Sequence, residues 1–455
     1  MREYDVLVIG SGVGARIASR AVSAGKRVAL VDRGPPGGTC VNLGCIPSKT
    51  LIYAADTAAG AADAEQLGIR AGIAGIDFSG IMERMRATRQ RNSAFTRDWI
   101  RSRAGLLDFY EGTGEFVGDH TLEVQGTELS AELIFCASGA RPLIPPVSGL
   151  ESVDYLTSDT VLDLQKLPES LVIVGGGYIA AEYGHFFAAM GTRVTILQRG
   201  DRLVADEEPE ISGLLLQEMQ RRMAIATGTE AVEVGQRGEG CVVFGKDRAT
   251  GDLREFEAEA VLVAAGRRSN ADLLQVERTG VALDARGYIR TNEYLETNRE
   301  NIWAVGDANG RQMFRHAASR EALIAWQNAT QEERVAMDYL AVPHAIYSRP
   351  QIASVGMTEA AARREHEVLV GRADYAETAM GEAMMEEAGF AKAIADARSG
   401  TILGFHIIGP SAPLLIQEVT NVIAARGTAD SLGGIHIHPT LAELVPLTLR
   451  RMRAA

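Results

Sequence analysis

The chain has 455 residues and a formal net charge of −13, and this length predicts about three domains of roughly 150 residues each. The acidic balance argues against a general nucleic-acid binder, and no stretch reaches the ~18–20 apolar residues of a membrane span. Because four cysteines cannot form a secreted disulfide framework in so long a chain, and the first ten residues follow a buried-strand pattern instead of a signal peptide, we expect a cytoplasmic protein.

The N-terminal segment predicts a strand, a glycine-rich turn, a helix to about Ala24 and a second strand. In the turn, Gly10 permits a tight bend, Gly12 lets the backbone approach a pyrophosphate, and the small Ala15 allows helix and strand to pack closely. Asp32 ends the second strand, where a carboxylate accepts hydrogen bonds from a ribose. These features predict a dinucleotide-binding unit.

A pair of cysteines follows this unit. Four residues separate Cys40 from Cys45, which is enough to close a small disulfide ring, and Pro47 predicts that the thiols lie near a helix N-terminus, where a thiolate is favoured. A zinc site is disfavoured because a second cysteine pair is missing, and a pair of buried, inert cysteines is the weaker alternative. The pair therefore predicts a redox-active disulfide.

A second unit of the same kind begins at Leu171, with the turn Gly175–Ala180 and a helix to about Met190. Its second strand ends at Gln198 and Arg199, where an enzyme that reads the bare ribose of NAD usually offers a carboxylate. Arg199 and Arg202 are suited to the 2′-phosphate of NADPH, so NADPH is favoured. The alternative is that both arginines are only exposed and NADH is also accepted.

Later segments predict how the domains connect. Apolar runs at 133–139 and 261–267 each end in a small-residue turn, and a strand at 302–307 indicates a return to the first domain, so the second domain is inserted into the first. After about Leu340, short alternating strands and helices predict a separate α+β domain. Its tail contains His436 and His438, and an imidazole suits the proton transfers of thiol–disulfide exchange.

From end to end, the chain resembles the class I pyridine nucleotide-disulfide oxidoreductases, the family of dihydrolipoamide dehydrogenase, glutathione reductase, mycothione reductase and mercuric reductase. The resemblance implies an α/β fold, with two Rossmann-like domains for FAD and NAD(P) and an α+β C-terminal dimerisation domain. The expected boundaries are 1–150 for the first FAD segment, 151–270 for NAD(P), 271–340 for the FAD return segment and 341–455 for the dimerisation domain.

The resemblance also implies roles in the reaction. Cys40 attacks the disulfide substrate, Cys45 lies against the flavin as the charge-transfer thiolate, and Lys49 lies by the flavin N5, paired with Glu182. His438 is the acid/base, oriented by Glu443. His436 is a neighbour in the site wall, and the remaining histidines are structural: His120, His185, His344, His366 and His406.

The cofactor sites follow from the same resemblance. Asp307 is matched to the ribityl chain, the backbone of 315–318 to the space beneath the flavin ring, and Tyr178 to a lid over the flavin. The expected FAD-binding residues are Gly10, Gly12, Gly14, Ala15, Asp32, Gly38, Thr39, Ser138, Gly139, Asp307, His316 and Ala317. The expected NAD(P)-binding residues are Gly175, Gly177, Tyr178, Ile179, Gln198, Arg199 and Gly266, and no metal site is expected.

The substrate and assembly are expected on the same basis. The family implies a homodimer with composite active sites, and the tail 436–443 resembles dihydrolipoamide dehydrogenase, which puts lipoamide or a lipoyl protein first. Residues 157–160, 198–199 and 380–396 resemble mycothione reductase instead, an NADPH-dependent reductase of a small disulfide. Because no cysteine follows Cys241, mercuric reductase and the large thioredoxin reductases are disfavoured. A non-catalytic nucleotide-binding subunit is the alternative of another class.

Overall fold

The computed structural model describes residues 1–454. Its strands are β1 Arg2–Ile9, β2 Val28–Asp32, β3 Leu107–Glu111, β4 Gly114–Gly118, β5 Thr121–Val124, β6 Thr127–Cys136, β7 Ala140–Pro142, β8 Tyr155–Thr157, β9 Ser170–Val174, β10 Arg193–Gln198, β11 Ala224–Thr227, β12 Thr229–Arg237, β13 Gly240–Asp247, β14 Leu253–Ala258, β15 Ala260–Val263, β16 Arg267–Ser269, β17 Ile302–Ala304, β18 His344–Ile346, β19 Ile352–Gly356, β20 Val368–Asp374, β21 Phe390–Asp396, β22 Ile402–Ile408 and β23 Arg453–Ala454.

The helices connect these strands and cover the faces of the sheets. They are α1 Gly14–Ser23, α2 Gly38–Asn42, α3 Cys45–Asp63, α4 Phe78–Arg101, α5 Tyr178–Ala189, α6 Pro209–Gln220, α7 Arg315–Thr330, α8 Glu359–Ala362, α9 Ala379–Ala383, α10 Ala412–Ala424 and α11 Leu444–Arg450. Within residues 1–454, no helix is long and apolar enough to cross a membrane.

The first sheet has seven strands in the order β3-β2-β1-β6-β5-β4, and β17 also pairs with β6. The inner strands β1 and β2 are parallel, and their apolar stretches at residues 6–9 and 28–31 are buried, as expected for strands in the middle of a parallel sheet. The predicted strand at 302–307 is shorter, Ile302–Ala304, and its parallel pairing with β6 brings the chain back to this sheet after the second unit.

The second sheet has five strands in the order β11-β10-β9-β15-β8. All its pairings are parallel, and helix α5 follows β9 just as α1 follows β1. Because ligands bind at the carboxyl ends of parallel strands in such sheets, both glycine turns lie where a dinucleotide is expected. A three-stranded antiparallel sheet, β12-β13-β14, and the β7–β16 pair were not predicted from the sequence.

The C-terminal segment forms a six-stranded antiparallel sheet in the order β18-β19-β22-β21-β20-β23, with helices α10 and α11 packed on it. A shared hydrophobic core joins this sheet to the redox helix α3 and to α5, through residues such as Ile352, Leu51 and Phe186. The predicted α/β class with a distinct α+β C-terminal part is confirmed. The domain boundaries stay predictions.

One packing detail differs from the sequence prediction. The tight approach of α1 to β1 is made by Gly14, where an added Cβ would lie 2.7 Å from a methyl carbon of Val8. Ala15, to which this packing role was assigned, is only half-buried. The helix is therefore rotated so that the last glycine of the turn, and not the following alanine, faces the strand.

Candidate active site

A cavity of about 570 Å³ runs from the first glycine turn to the cysteine pair. It brings together most of the predicted FAD-binding and redox residues, although they come from six separate stretches of chain. The predicted residues that line it are Gly10, Gly12, Asp32, Gly38, Thr39, Cys40, Cys45, Lys49, Ser138, Gly139, Tyr178, Ile179, Glu182, Asp307 and His316.

The glycines at one end of this cavity form a cradle that side chains would fill. A Cβ on Gly10, whose φ is +104°, would lie 2.1 Å from the carbonyl oxygen of Ala137, and a Cβ on Gly38 would lie 2.5 Å from the Cα of Gly12. Only glycine permits this backbone and this close contact. The cradle lies directly before the N-terminus of α1, a position that fits the pyrophosphate of a dinucleotide.

Two polar groups beside the cradle also fit a bound nucleotide. Asp32 accepts hydrogen bonds from the backbone N and the Oγ of Ser11, both at 2.6 Å, so that its carboxylate is held at the cavity edge. The Oγ of Ser138 is buried and has no hydrogen-bond partner within residues 1–454. Buried hydroxyls are normally paired, so a ligand in this cavity would satisfy it. The residues present therefore fit FAD.

Asp307 lies farther along the cavity wall, beside an arginine that the sequence analysis missed. The Nε of Arg267 lies 3.7 Å from the Oδ2 of Asp307, and the Arg267 side chain is only 8% exposed. Burial raises the pKa of Asp307 above its ordinary value, and the charge of Arg267 partly opposes this rise. Arg267 directly follows Gly266, a predicted nucleotide-binding residue, so its position in the motif was the available signal.

The two cysteines occupy adjoining helices at the far end of the cavity. Cys40 lies in α2 and is half-buried, whereas Cys45 is the first residue of α3 and is exposed to the cavity; both are reduced. The hydrogen bond from Cys40 lowers the pKa of Cys45 to about 6, burial opposes this, and Lys49 lowers it further. The same hydrogen bond raises the pKa of Cys40. The negative charge of the reduced pair therefore resides on Cys45.

Lys49 and Glu182 form the ion pair expected beside this thiolate. The Nζ of Lys49 lies 2.8 and 2.7 Å from the two carboxylate oxygens of Glu182, which is buried. Tyr347 completes the arrangement: its backbone N–H donates to Glu182 at 3.0 Å, and its ring lies 4.8 Å from the ammonium. No sequence signal pointed to Tyr347, because it reaches the site from the C-terminal part of the chain.

The second glycine turn has the same construction as the first. Gly175 has a φ of +124°, and an added Cβ would lie 2.2 Å from the carbonyl oxygen of Ala264. Gly177 caps α5, and no atom lies within 4 Å of its hypothetical Cβ, so the space before the helix N-terminus is open. The side chain of Gln198 packs on Gly176, and its Nε2 donates to the carbonyl of Arg202 at 3.0 Å.

Tyr178 and Ile179 connect the two nucleotide regions. They begin α5 directly after the second glycine turn, yet their side chains line the cavity that ends at the cysteines. Burial raises the pKa of Tyr178 to about 12, so its hydroxyl stays protonated at neutral pH. The two residues therefore lie between the second glycine turn and the cavity of the cysteine pair.

His438 and Glu443 are paired but lie outside the cavity of their own chain. The Nδ1 of His438 lies 3.0 Å from Glu443 Oε1, and the imidazole is 70% exposed. His436 forms a separate pair with Glu418 at 2.9 Å. The imidazole of His438 is thus oriented by a carboxylate, with its other nitrogen available to a neighbouring molecule.

Several predicted residues do not line the cavity. Ala317 is buried in the first turn of α7, and the imidazole of His316 is turned toward the carbonyl of Pro343, 2.6 Å from its Nε2, which leaves mainly its backbone at the cavity. The predicted residues outside the cavity are Gly14, Ala15, Ala317, Gly175, Gly177, Gln198, Arg199, Gly266, His438 and Glu443.

Two family descriptions match nearly the whole chain. Residues 4–322 match the pyridine nucleotide-disulphide oxidoreductase family. Residues 342–448 match the pyridine nucleotide-disulphide oxidoreductase dimerisation domain. The first match contains both glycine turns and the cysteine pair, and the second contains His438 and Glu443.

Individual proteins are similar over the same extent. Mycothione reductase of Mycobacterium tuberculosis is 35% identical over 467 aligned positions, which cover 100% of both chains. Dihydrolipoyl dehydrogenase of Bacillus subtilis is 32% identical over 452 positions, covering 97% of this chain and 95% of that one. The Cu(II) complex of the HOCl-induced flavoprotein disulfide reductase RclA from Escherichia coli superposes with a TM-score of 0.88 at 26% identity, covering 99% of both chains.

Proposed function

The chain belongs to the pyridine nucleotide-disulphide oxidoreductase family, and from this premise we propose that it reduces a low-molecular-weight disulfide with electrons from NADPH. Membership makes it an FAD-dependent oxidoreductase that uses NAD(P)H, and the dimerisation-domain match supports a homodimer. The disulfide substrate, the choice of NADPH and the roles of individual residues are the parts that we propose.

FAD, when bound, supplies the transfer of two electrons from the nicotinamide to the cysteine pair. In the proposed reaction the reduced pair then acts in two exchanges. Cys40 attacks one sulfur of the substrate disulfide, which forms a mixed disulfide and releases the first thiolate. Cys45 then attacks the sulfur of Cys40, which releases the second thiolate and leaves the pair oxidised.

Both exchanges require proton transfer. Cys40 keeps its proton at neutral pH because the hydrogen bond with Cys45 raises its pKa, so a base has to accept this proton as Cys40 attacks. We assign this role to His438 of the second subunit, which would return the proton to the departing thiolate. Its pairing with Glu443 and the 70% exposure of its imidazole support this assignment.

The residues at the end of strand β10 are the main support for the proposal that the enzyme uses NADPH. An amide, Gln198, occupies the place where a carboxylate would repel a 2′-phosphate, and its contact with the Arg202 carbonyl holds it there. The exposed Arg199 and the half-buried Arg202 lie beside it, and neither forms an ion pair with a carboxylate within residues 1–454. Both guanidinium groups are therefore free to bind a phosphate.

Lipoamide is the second candidate substrate. The same cysteine pair can reduce a disulfide or oxidise a dithiol. The feature that favours it is the tail, in which His438 is followed by Pro439 and, five residues on, by its partner Glu443. A dihydrolipoamide dehydrogenase would oxidise the dithiol and pass two electrons to NAD⁺. The direction depends on the potentials of the substrates, which the residues of the pair do not set.

A steady-state comparison separates these functions. We expect NADPH oxidation with a small thiol disulfide, such as mycothiol disulfide, to exceed NADH oxidation at least tenfold in kcat/KM, an effect typical of one guanidinium–phosphate contact. Replacing Arg199 by Gln should reduce this preference, with the exposed Arg193→Gln as control. Efficient NAD⁺ reduction by dihydrolipoamide would overturn the proposal in favour of the second candidate, and a purified protein that binds no FAD would favour a non-catalytic subunit.

A further inference from the structure

Glu321 is a fully buried residue of α7 that does not line the cavity but contacts the segment that carries Asp307. Its Oε2 accepts hydrogen bonds from the backbone N–H of Gly306 at 2.5 Å and from the side-chain amide of Asn309 at 3.2 Å. Its Oε1 accepts from the hydroxyl of Tyr339 at 2.7 Å. Burying a carboxylate costs free energy, which these three hydrogen bonds offset. The carboxylate therefore joins the residues on both sides of Asp307 to α7.

The segment that contacts Glu321 is a short turn directly after β17. It forms a 3₁₀ turn over Gly306–Ala308, and Gly306 has a φ of +67°. An added Cβ on Gly306 would lie 3.1 Å from the Cβ of Ala318, so the turn packs closely on α7. Asp307, in the middle of this turn, lines the cavity. The direction of the Asp307 side chain therefore depends on the backbone of the turn.

The side chain of Asp307 is held less closely than the backbone around it. Its ion pair with Arg267 joins Oδ2 and Nε at 3.7 Å, which is longer than a hydrogen bond. Gly306 and Asn309, on either side, both donate to the same oxygen of Glu321. The position of Asp307 at the cavity wall is thus defined by contacts of its neighbours, and Glu321 is the group that these neighbours share.

We propose that Glu321 is a positioning residue for FAD binding, which holds the turn so that the carboxylate of Asp307 meets the cofactor. The inference rests on the contact between Asp307 and FAD, one of the residue roles in the proposed function, and not on the identity of the disulfide or the nicotinamide. The position requires a hydrogen-bond acceptor toward Gly306. A glutamine can supply this acceptor through its carbonyl, whereas an alanine cannot.

A double-mutant cycle between Glu321 and Asp307 tests this role. The dissociation constant of FAD is measured on the FAD-loaded protein by equilibrium dialysis, with the released flavin read by its fluorescence. Glu321→Ala should weaken FAD binding about tenfold, an effect typical of one hydrogen bond to a charged group. In an Asp307→Ala background, the same substitution should weaken FAD binding less than about twofold, because the turn then has no carboxylate to position.

Two further variants separate positioning from a general loss of stability. Asn328→Ala removes another buried polar side chain of α7, which is hydrogen-bonded to the backbone of Val335. It should lower the unfolding midpoint, followed by circular dichroism, but change the dissociation constant of FAD less than about twofold. Glu321→Gln should keep FAD affinity within about threefold of the parent, because its carbonyl can accept from Gly306 and its amide can donate to the oxygen of Tyr339.

The outcomes separate this inference from the proposed function. Equal losses of FAD affinity for Glu321→Ala in the two backgrounds would overturn the inference. So would an Asp307→Ala protein that binds FAD as tightly as the parent, or a Glu321→Gln protein as weak as Glu321→Ala. If Glu321→Ala does not fold, Glu321→Asp, which withdraws the carboxylate by one methylene, replaces it in the cycle under the same criterion. A protein that binds FAD but reduces no disulfide with NADPH would contradict the proposed function, while the cycle would still decide the role of Glu321.

Discussion

The two cysteines have opposite protonation states although only four residues separate them. Their mutual hydrogen bond raises the pKa of Cys40 and lowers the pKa of Cys45 to about 6. At neutral pH, Cys45 is therefore the thiolate and Cys40 is the thiol. This asymmetry suits the proposed division of roles, in which Cys40 meets the substrate and Cys45 exchanges electrons with the cofactor.

Replacing Cys45 tests this division of roles between the two cysteines. Cys45→Ser should lower disulfide turnover by roughly three orders of magnitude or more, because the mixed disulfide on Cys40 can no longer be resolved. FAD should stay bound, since a hydroxyl fits where the thiol was. Steady-state assays and the visible spectrum check both points. Cys241→Ser, a buried cysteine in β13, is the control and should retain activity; near-normal turnover in Cys45→Ser would refute the relay.

At the scale of elements, a buried charged cluster joins the start of α6 to the C-terminal sheet. The ammonium of Lys392 in β21 lies 2.7, 2.8 and 2.7 Å from carboxylate oxygens of Glu208, Glu210 and Glu359. Lys392 and Glu208 are 5% and 1% exposed. The three carboxylates converge as they would around a metal ion, but the lysine already supplies the cation. The cluster fixes the nucleotide-binding unit against the C-terminal sheet.

Removing the ammonium group of Lys392 should lower the stability of the folded protein. Lys392→Met leaves Glu208 buried without its counter-charge, and breaking a buried ion pair in this way typically costs about 3–5 kcal/mol. We expect a marked fall in the midpoint of thermal or urea unfolding, monitored by circular dichroism. Lys166→Met, at a lysine that is 80% exposed, is the matched control and should change stability by less than about 0.5 kcal/mol. A midpoint equal to that of the parent would show that the cluster contributes little.

The hydrogen-bonded pair of His344 and Glu207, at the same interface, should make the stability of the protein depend on pH. Burial is the largest single effect and lowers the pKa of His344, but the hydrogen bond to Glu207 at 2.5 Å and the charges of Glu207 and Asp206 together outweigh it and leave this pKa above its ordinary value. A raised folded-state pKa stabilises the protein fully below the unfolded value of about 6.5, and this contribution is lost as the pH rises through the folded value.

The stability of His344→Gln tests this dependence. The unfolding midpoint of the parent should exceed that of His344→Gln most at about pH 6, and the difference should shrink toward pH 9, because the parent loses the charge that the variant never had. Differential scanning calorimetry at several pH values measures it. His120→Gln serves as control, with little change expected, because this half-buried histidine forms no ion pair with a carboxylate within residues 1–454. A difference that is constant from pH 6 to pH 9 would rule out a charged His344.

At the scale of the whole molecule, the elements predicted from the sequence are those with strong local signals. The strands and helices on either side of both glycine turns agree with the prediction within a few residues. An apolar run that stops at a glycine turn is a local pattern, and parallel pairing follows from it. The close approach at Gly14 instead of Ala15 required the actual rotation of α1, which periodicity does not define.

Contacts between distant segments were the part that the sequence could not predict. Tyr347 donates to Glu182 across 165 residues of chain, and the Arg267–Asp307 pair joins two segments with no shared motif. The C-terminal cluster around Lys392 likewise depends on how two units pack. Such pairs form only after the domains have come together, so no window of sequence contains both partners. Motifs therefore predicted the reacting residues better than the residues that hold them.

The proposed two-fold dimer predicts active sites that combine residues of both subunits. The exposed His438 lies outside the cavity of its own chain, so we expect it to serve the cysteine pair of the other subunit in a two-fold dimer. Homodimers of Cys40→Ser and of His438→Gln should each be nearly inactive. In a heterodimer of the two variants, one composite site combines an intact cysteine pair with an intact histidine, and the other site carries both defects.

Co-expression of the two variants with different tags, followed by tandem purification, isolates this heterodimer, and NADPH-dependent disulfide reduction is then measured. Its activity should be about half that of the parent dimer, because one of two equivalent sites is intact. Cys40→Ser paired with Cys45→Ser is the control and should remain inactive, since each site then lacks one sulfur. If each chain used its own His438, both sites of the first heterodimer would also be defective, and its activity would stay at the level of the homodimers.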